Sequence, residues 1–120
     1  MIFETHAHFD DRRFKDDRDE IIDSLKDSGI GYVINCGADM KSSERGIELT
    51  KKYSFFYCSV GVHPHSAKDL DDTKLKKLEA MAAGGKVVAI GEIGLDFYYN
   101  HSEKGDQRFW FAKQLELANK

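Results

Sequence analysis

The chain has 120 residues, of which 41% are apolar and 12% aromatic, and this composition excludes disorder along most of its length. Lys and Arg total 18 against 21 Asp and Glu, so the formal net charge is −3, and the chain lacks the basic surplus of proteins that hold nucleic acid by charge alone. The length predicts a single domain over residues 1–120.

The predicted elements alternate between short apolar strands and amphipathic helices. In chain order, strands are predicted within Met1–His8 and at Tyr32–Cys36, Phe55–Val62 and Lys86–Ile90. Helices are predicted at Asp17–Ser28, Ser42–Tyr53, Asp72–Ala83 and Gly105–Lys120. We expect Gly29 to end the first helix, and Ser42 or Ser43 to cap the second.

Four β-α units in succession predict an α/β fold with parallel strands and right-handed crossovers. The nearly continuous apolar runs YVINC and VVAI are typical of strands that are covered on both faces. A doubly wound sheet and a closed β/α barrel both fit this alternation. A complete barrel needs about 250 residues, which is roughly twice the length of this chain.

The two cysteines, Cys36 and Cys58, both lie in apolar runs. They predict buried free thiols in a reducing compartment rather than a disulfide framework. No run approaches the ~18 apolar residues of a membrane span. The opening residues MIFETHAHFD also lack the basic region and long apolar run of a secretory signal. We therefore expect a cytoplasmic protein with no membrane partner.

His6 and His8 end the first predicted strand with one residue between them. Residues two apart on a strand point to the same face, and the carboxyl ends of strands are where α/β proteins build their sites. The pair is therefore suited to a metal ion. Two histidines in a loop after a short strand, with no role in metal binding, give the same pattern, so this interpretation also stays open.

Glu92 directly follows the fourth predicted strand. A glutamate in this position is poorly explained by packing, because Glu is seldom buried without a partner. A metal ion would compensate its charge, and its two oxygens can bridge two ions. Asp96, four residues later, fits a turn or capping residue as well as a catalytic one.

His63 and His65 follow the third predicted strand and flank Pro64, which stiffens the loop. One of the two histidines is suited to donate a hydrogen bond to a phosphate oxygen. His65, taken by itself, is better explained as a solvent-facing residue of the loop. Tyr98 and Tyr99 fit equally well the lining of a pocket and packing beneath a loop.

Three segments in this order, T-H-A-H-F-D at 5–10, G-V-H-P-H at 61–65 and V-V-A-I-G-E-I-G-L-D-F-Y at 87–98, resemble the TatD family of metal-dependent deoxyribonucleases. The resemblance extends over essentially the whole chain, including residues 42–53 and 114–118. It implies an eight-stranded β/α barrel of the amidohydrolase kind. The four β-α units would then be the amino-terminal half of a TIM-type barrel.

The resemblance also implies roles for particular residues. His6 and His8 would ligate a first divalent ion (Mg²⁺, Mn²⁺ or Zn²⁺), Glu92 would bridge it to a second ion, and His63 and His65 would bind substrate near the phosphate. The implied reaction is hydrolysis of the phosphodiester bonds of DNA by metal-activated water. Metal cations, rather than a basic surface, would then face the phosphates.

The chain departs from the family pattern after its fourth unit. Histidine ligands on a fifth and a sixth strand, and an aspartate on an eighth, have no counterpart in these 120 residues. The catalytic set is therefore incomplete, and we expect the chain alone to be inactive. Four parallel strands also leave open edges and an exposed inner face, which predicts a homo-oligomer. The alternatives are a non-catalytic half-barrel that self-associates and another metal-dependent phosphoesterase or amidohydrolase.

Overall fold

The computed structural model describes residues 1–120 and contains the four predicted β-α units. The strands are β1 (Ile2–Ala7), β2 (Ile30–Cys36), β3 (Phe56–Val60) and β4 (Val87–Ile90). The helices are α1 (Arg18–Ser24), α2 (Met40–Lys52), α3 (Asp72–Ala82) and α4 (Lys104–Ala118), and short 3-10 segments lie at Arg12–Phe14 and Pro64–Asp69. No helix is both long enough and apolar enough to cross a membrane.

The four strands form one parallel sheet in the order β1-β2-β3-β4. Each strand therefore pairs with the next along the chain, which is the order of a β/α barrel. In a doubly wound sheet the order of the strands reverses at a switch point, and the strand order of this sheet does not reverse. The predicted α/β half-barrel is confirmed, and β1 and β4 are left with unpaired outer edges.

The core lies between one face of the sheet and the helices, in two apolar clusters. The first joins α1, α2 and the adjoining strands through fully buried Ile22, Val33 and Phe56. The second lies beneath α3 and α4 and centres on Val60 and Leu78, which are also fully buried. Burying a side chain of this size contributes about 1.5–3 kcal/mol, so these clusters hold the helices on the sheet.

The opposite face of the sheet is open, as expected for four strands of a barrel, so within these 120 residues the strands are covered on one face only. Phe3 is 53% exposed and Tyr32 is 40% exposed, and their rings stack with centroids 5.4 Å apart. Val88 in the outer strand β4 is 50% exposed. A sheet of four strands does not close on itself, so side chains that would line the interior of a barrel meet solvent.

Two helices differ from the predictions: α1 ends several residues earlier than predicted, and α2 has a different N-terminal cap. Helix α1 ends at Ser24 rather than at Ser28. Turns follow it, and they end at Gly29, whose φ is +83°. The predicted cap of α2 at Ser42 or Ser43 is wrong, because Asp39 is the cap and accepts a hydrogen bond from the Ser42 amide at 2.7 Å. Ser42 is the reciprocal partner in this capping box, since its hydroxyl accepts from the Asp39 amide.

Cys36 and Cys58 are free and buried, as predicted. Desolvation by burial raises the pKa of both thiols, and that of Cys58 reaches about 11. Both are therefore protonated near neutral pH and act as packing residues rather than nucleophiles.

Candidate metal centre

The histidine pair of β1 and the glutamate after β4 meet at the carboxyl edge of the sheet, although β1 and β4 are not neighbours. His6 Nε2 lies 3.5 Å from Glu92 Oε1, and His8 Nε2 lies 3.3 Å from Glu92 Oε2. The two Nε2 atoms are 3.2 Å apart. The curvature of the half-barrel thus brings Glu92 to two histidines that precede it by more than eighty residues in the sequence.

The ring orientation of His8 is set by a hydrogen bond from Nδ1 to the Cys36 carbonyl oxygen at 3.0 Å. A carbonyl only accepts, so Nδ1 carries a hydrogen, and in the neutral form of the ring the lone pair of Nε2 faces Glu92. Two acceptor atoms at 3.3 Å repel each other unless a proton or a cation lies among them. This is the usual arrangement of a metal-binding histidine, whose other ring nitrogen donates to a carbonyl.

The spacing of the three donors fits a divalent ion. Ligand atoms about 2.0–2.2 Å from one ion, in tetrahedral or octahedral geometry, are separated by about 3.0–3.6 Å. The two Nε2 atoms are 3.2 Å apart here, and His8 and His6 lie 3.3 and 3.5 Å from different oxygens of Glu92. One ligand atom from each of the three residues lies within 4.8 Å of the others. Imidazole nitrogen and carboxylate oxygen together suit Zn²⁺ and Mn²⁺.

A buried polar network holds the loop that leaves His8. Asn35 in β2 is fully buried, accepts a hydrogen bond from the Phe9 amide at 2.7 Å and donates to Asp10 Oδ1 at 2.8 Å. Asp10 is only 6% exposed and also faces Arg45 at 3.5 Å, while Arg18 donates to the Phe9 carbonyl. Sequence reasoning missed this network. The signal in the sequence that could have indicated the network was the amide side chain of Asn35 within an otherwise apolar strand.

The loop that carries Glu92 passes close to β3. The Gly91–Glu92 peptide bond is cis, and the Glu92 amide donates to the Gly37 carbonyl. A Cβ at Gly61 would lie 2.8 Å from the Gly91 carbonyl carbon, which is closer than packed atoms approach. Glycine at position 61 therefore allows the backbone of this loop to reach the position from which Glu92 faces the histidines.

His63 and His65 lie beside this cluster. The His65 amide donates to His63 Nδ1 at 3.1 Å, so the neutral His63 ring carries its hydrogen on Nε2. Burial, reinforced by His65, lowers the pKa of His63. His65 Nε2 lies 2.6 Å from Asp96 Oδ2, and this hydrogen bond is the main reason why the pKa of Asp96 is lowered.

One cleft of about 690 Å³ joins these groups, because His8, His63, His65 and Glu92 all line it. Arg12, Arg13 and Arg45 lie on the same cleft, but Arg13 pairs with Asp11 and Arg45 pairs with Asp10. His6 contacts both His8 and Glu92, so the structure brings together the five side chains that the sequence analysis connects with metal or substrate binding.

The sequence profile of the family described as TatD related DNase matches residues 3–120. The chain belongs to this family. It is 35% identical over 118 residues to the uncharacterized metal-dependent hydrolase YabD of Bacillus subtilis, covering 98% of this chain and 46% of the relative. It is 31% identical over 117 residues to the 3'-5' ssDNA/RNA exonuclease TatD of Escherichia coli K12, covering 98% and 45%.

Solved TatD structures share the fold. The TatD homologue YjjV of E. coli K12 has a TM-score of 0.86 at 29% identity, covering 98% of this chain and 46% of that one. A TatD family hydrolase of Entamoeba histolytica has a TM-score of 0.88 at 24% identity, with the same coverage, and shows the fold alone. The chain thus spans a little under half the length of the relatives it matches.

Proposed function

We propose that these residues form the amino-terminal part of the catalytic centre of a nuclease that hydrolyses DNA phosphodiester bonds. His6, His8 and Glu92 hold the divalent ions, Mg²⁺, Mn²⁺ or Zn²⁺, while His63 and His65 bind the substrate phosphate. Three donor residues whose ligand atoms lie within 4.8 Å of one another, with His8 Nε2 left free by the contact to Cys36, carry this proposal. The relatives described as a metal-dependent hydrolase and as an ssDNA/RNA exonuclease support it.

Each side chain has a task in this centre. A bound divalent ion lowers the pKa of water and offsets charge on the phosphoryl oxygens. His6 and His8 supply neutral nitrogen donors, and Glu92 supplies a carboxylate whose two oxygens can reach two ions. His63, whose Nδ1 is taken by the His65 amide, offers Nε2–H to a phosphate oxygen.

Three protein donors leave a divalent ion with an open coordination shell. We therefore propose that the 120 residues alone bind metal but do not cleave DNA. The test is incubation of the chain with end-labelled single-stranded DNA and Mn²⁺. Robust cleavage that disappears in Glu92→Ala would overturn the proposed inactivity.

Metal binding is tested by calorimetric titration of the chain with Mn²⁺ and with Zn²⁺. The His6→Ala/His8→Ala double variant and Glu92→Gln should each lose about tenfold or more in affinity, because each removes donors to the same ion. Glu116→Gln on α4 is the matched control, since it removes a carboxylate far along the chain that pairs only with Lys113. Equal affinity in the wild type and the double variant would contradict the proposal.

For the 120-residue chain we also propose that a second copy covers the open sheet face. The exposed rings of Phe3 and Tyr32 and the unpaired edges of β1 and β4 support association. The two buried free thiols support a reducing compartment, which we propose to be the cytoplasm.

A further inference from the structure

The loop after Glu92 presents aromatic side chains to solvent. Tyr98 is 85% exposed, Tyr99 is 62% exposed, and His101 is also exposed. Of the two explanations that the sequence left open, packing beneath a loop is excluded by these values. Adjacent exposed aromatic rings commonly mark a binding surface.

The rings of these residues are ordered relative to one another. Tyr99 and His101 are parallel within 7°, with centroids 5.7 Å apart, and Tyr98 stands edge-on to Tyr99 at 4.8 Å. The His65 ring meets Tyr99 and His101 edge-on, at 5.8 and 4.6 Å. The parallel pair offers flat π-faces of the kind on which nucleobases stack.

This aromatic surface adjoins the metal centre through His65. His65 lines the cleft that also contains His8 and Glu92, and on its other side it contacts Tyr99 and His101. A nucleotide chain whose phosphate lies beside His63 and His65 would therefore bring a neighbouring base to the aromatic surface.

Hydrogen bonds to Asp96 and to the buried side chain of Gln107 hold this loop in place. Asp96 Oδ1 accepts from the amides of Tyr98 and Tyr99, at 3.0 and 3.2 Å. Gln107, which is 1% exposed, accepts from the Asp96 amide and donates to the carbonyls of Asp96 and Ser102. The rings are thus presented on an ordered backbone, which lowers the entropy lost on binding.

Charge around the loop is balanced. Lys104 and Arg108 lie over the Phe97 ring at 5.3 and 5.2 Å, but residues 103–108 also contain Glu103 and Asp106. Attraction to phosphates therefore contributes little here, and affinity has to come from the aromatic faces. The surface therefore differs from a basic patch, which binds nucleic acid through attraction to phosphates.

We propose that Tyr98, Tyr99 and His101 form a stacking surface for a nucleobase of a single-stranded nucleic acid whose phosphate lies at the metal centre. The proposal rests on the proposed nuclease function and adds to it a site for a base of the substrate. Bases in a duplex are already stacked on each other and do not offer their faces to this surface.

The test compares two short oligonucleotides with the same number of phosphates, one of thymidines and one of abasic residues. Binding to the chain is followed by NMR in EDTA, which removes metal and prevents cleavage. The variants are Tyr99→Ala, Tyr99→Phe and His101→Ala, with Phe109→Ala as the control because Phe109 is a 53% exposed aromatic residue on α4. Tyr99 is joined to Asp96 through its backbone amide, which alanine retains.

We expect the wild type to bind the thymidine strand about fivefold or more tightly than the abasic strand, with shifts in the amides of residues 97–101. Tyr99→Ala and His101→Ala should remove this preference, while Tyr99→Phe and Phe109→Ala should keep it. No preference in the wild type would overturn the proposal. So would a Tyr99→Ala variant that keeps the preference but changes its mass by light scattering, because the surface would then be a protein contact.

Metal titration of the same variants, in buffer without EDTA and without oligonucleotide, separates this proposal from the one on which it rests. Base preference without metal binding would leave the stacking surface standing and remove the nuclease function. Metal binding without base preference would remove the stacking surface and leave the proposed metal centre of the nuclease unaffected.

Discussion

His8 Nδ1 lies 3.0 Å from the carbonyl oxygen of Cys36, and this contact determines which nitrogen of the ring faces Glu92. The strand that supplies the carbonyl, β2, lies beside β1 in the sheet. The pairing of the first two strands therefore orients one metal donor through a contact that does not involve the segment carrying Glu92. Substitutions that loosen this part of the sheet should weaken metal binding without touching a ligand.

Asn35→Ala tests the support behind the histidine pair. The substitution removes the hydrogen-bond acceptor of the Phe9 amide and one of the two partners of Asp10, and both residues lie in the loop after His8. We expect the free energy of unfolding to fall by about 1–3 kcal/mol, because buried polar groups lose their hydrogen bonds. Urea denaturation measures this, with Asn119→Ala at the exposed end of α4 as the control. A loss equal to that of the control would contradict the supporting role.

Gly61→Ala tests the close approach of β3 to the loop that carries Glu92. The added Cβ would lie 2.8 Å from the Gly91 carbonyl carbon, so the backbone has to move. We expect a destabilisation of about 1–3 kcal/mol together with weaker Mn²⁺ binding. Gly85→Ala is the matched control, since its Cβ would meet nothing within 4 Å. Unchanged affinity for Mn²⁺ in Gly61→Ala would show that this approach does not position Glu92.

The pair formed by His65 and Asp96 predicts a pH-dependent contribution to stability. Hydrogen bonds, above all that from His65, lower the pKa of Asp96 in the folded chain. A carboxyl with a lowered pKa stabilises the fold above its unfolded pKa of about 3.9, and this stabilisation is lost as the pH falls through the folded pKa. Asp96→Asn should therefore melt below the wild type at pH 6, and the difference should shrink toward pH 3.

Thermal denaturation followed across this pH range measures the effect. Glu116→Gln removes an exposed carboxyl from an i,i+3 pair and should change the melting temperature little at any pH. A difference between the wild type and Asp96→Asn that stays constant from pH 6 to pH 3 would exclude the ionic contribution of Asp96.

Tyr32→Glu tests self-association through the open sheet face. The Tyr32 ring stacks on Phe3 and is 40% exposed, so a carboxylate there would oppose burial against a second copy. We expect light scattering to show a dimer or larger assembly for the wild type and a monomer for Tyr32→Glu. Phe109→Glu on α4 should associate like the wild type. A monomeric wild type with a cooperative melting transition would rule out the association.

The sequence predicted the parts of this structure that depend on local spacing. The alternation of strands and helices follows from apolar periodicity, and the common orientation of His6 and His8 follows from their spacing along a strand. The position of Glu92 opposite them followed only from the family resemblance, because no local rule relates the ends of β1 and β4.

Other features depend on contacts between distant segments and could not be read from the chain. The capping of α2 by Asp39 needed a choice among neighbouring candidates, all of which are good caps. The network of Asn35 and Asp10 joins residues twenty-five apart in the chain. The exposure of Tyr32 depends on the number of strands in the sheet rather than on the apolar composition of β2.

The central claim is that His6, His8 and Glu92 hold one divalent ion in common. Crystals of the chain grown or soaked with Mn²⁺, with diffraction recorded at the manganese absorption edge, test it most directly. We predict an anomalous peak within about 2.0–2.3 Å of His6 Nε2, His8 Nε2 and a Glu92 carboxylate oxygen, and its loss in the His6→Ala/His8→Ala variant. A peak elsewhere on the chain, or no peak at saturating Mn²⁺, would contradict the claim.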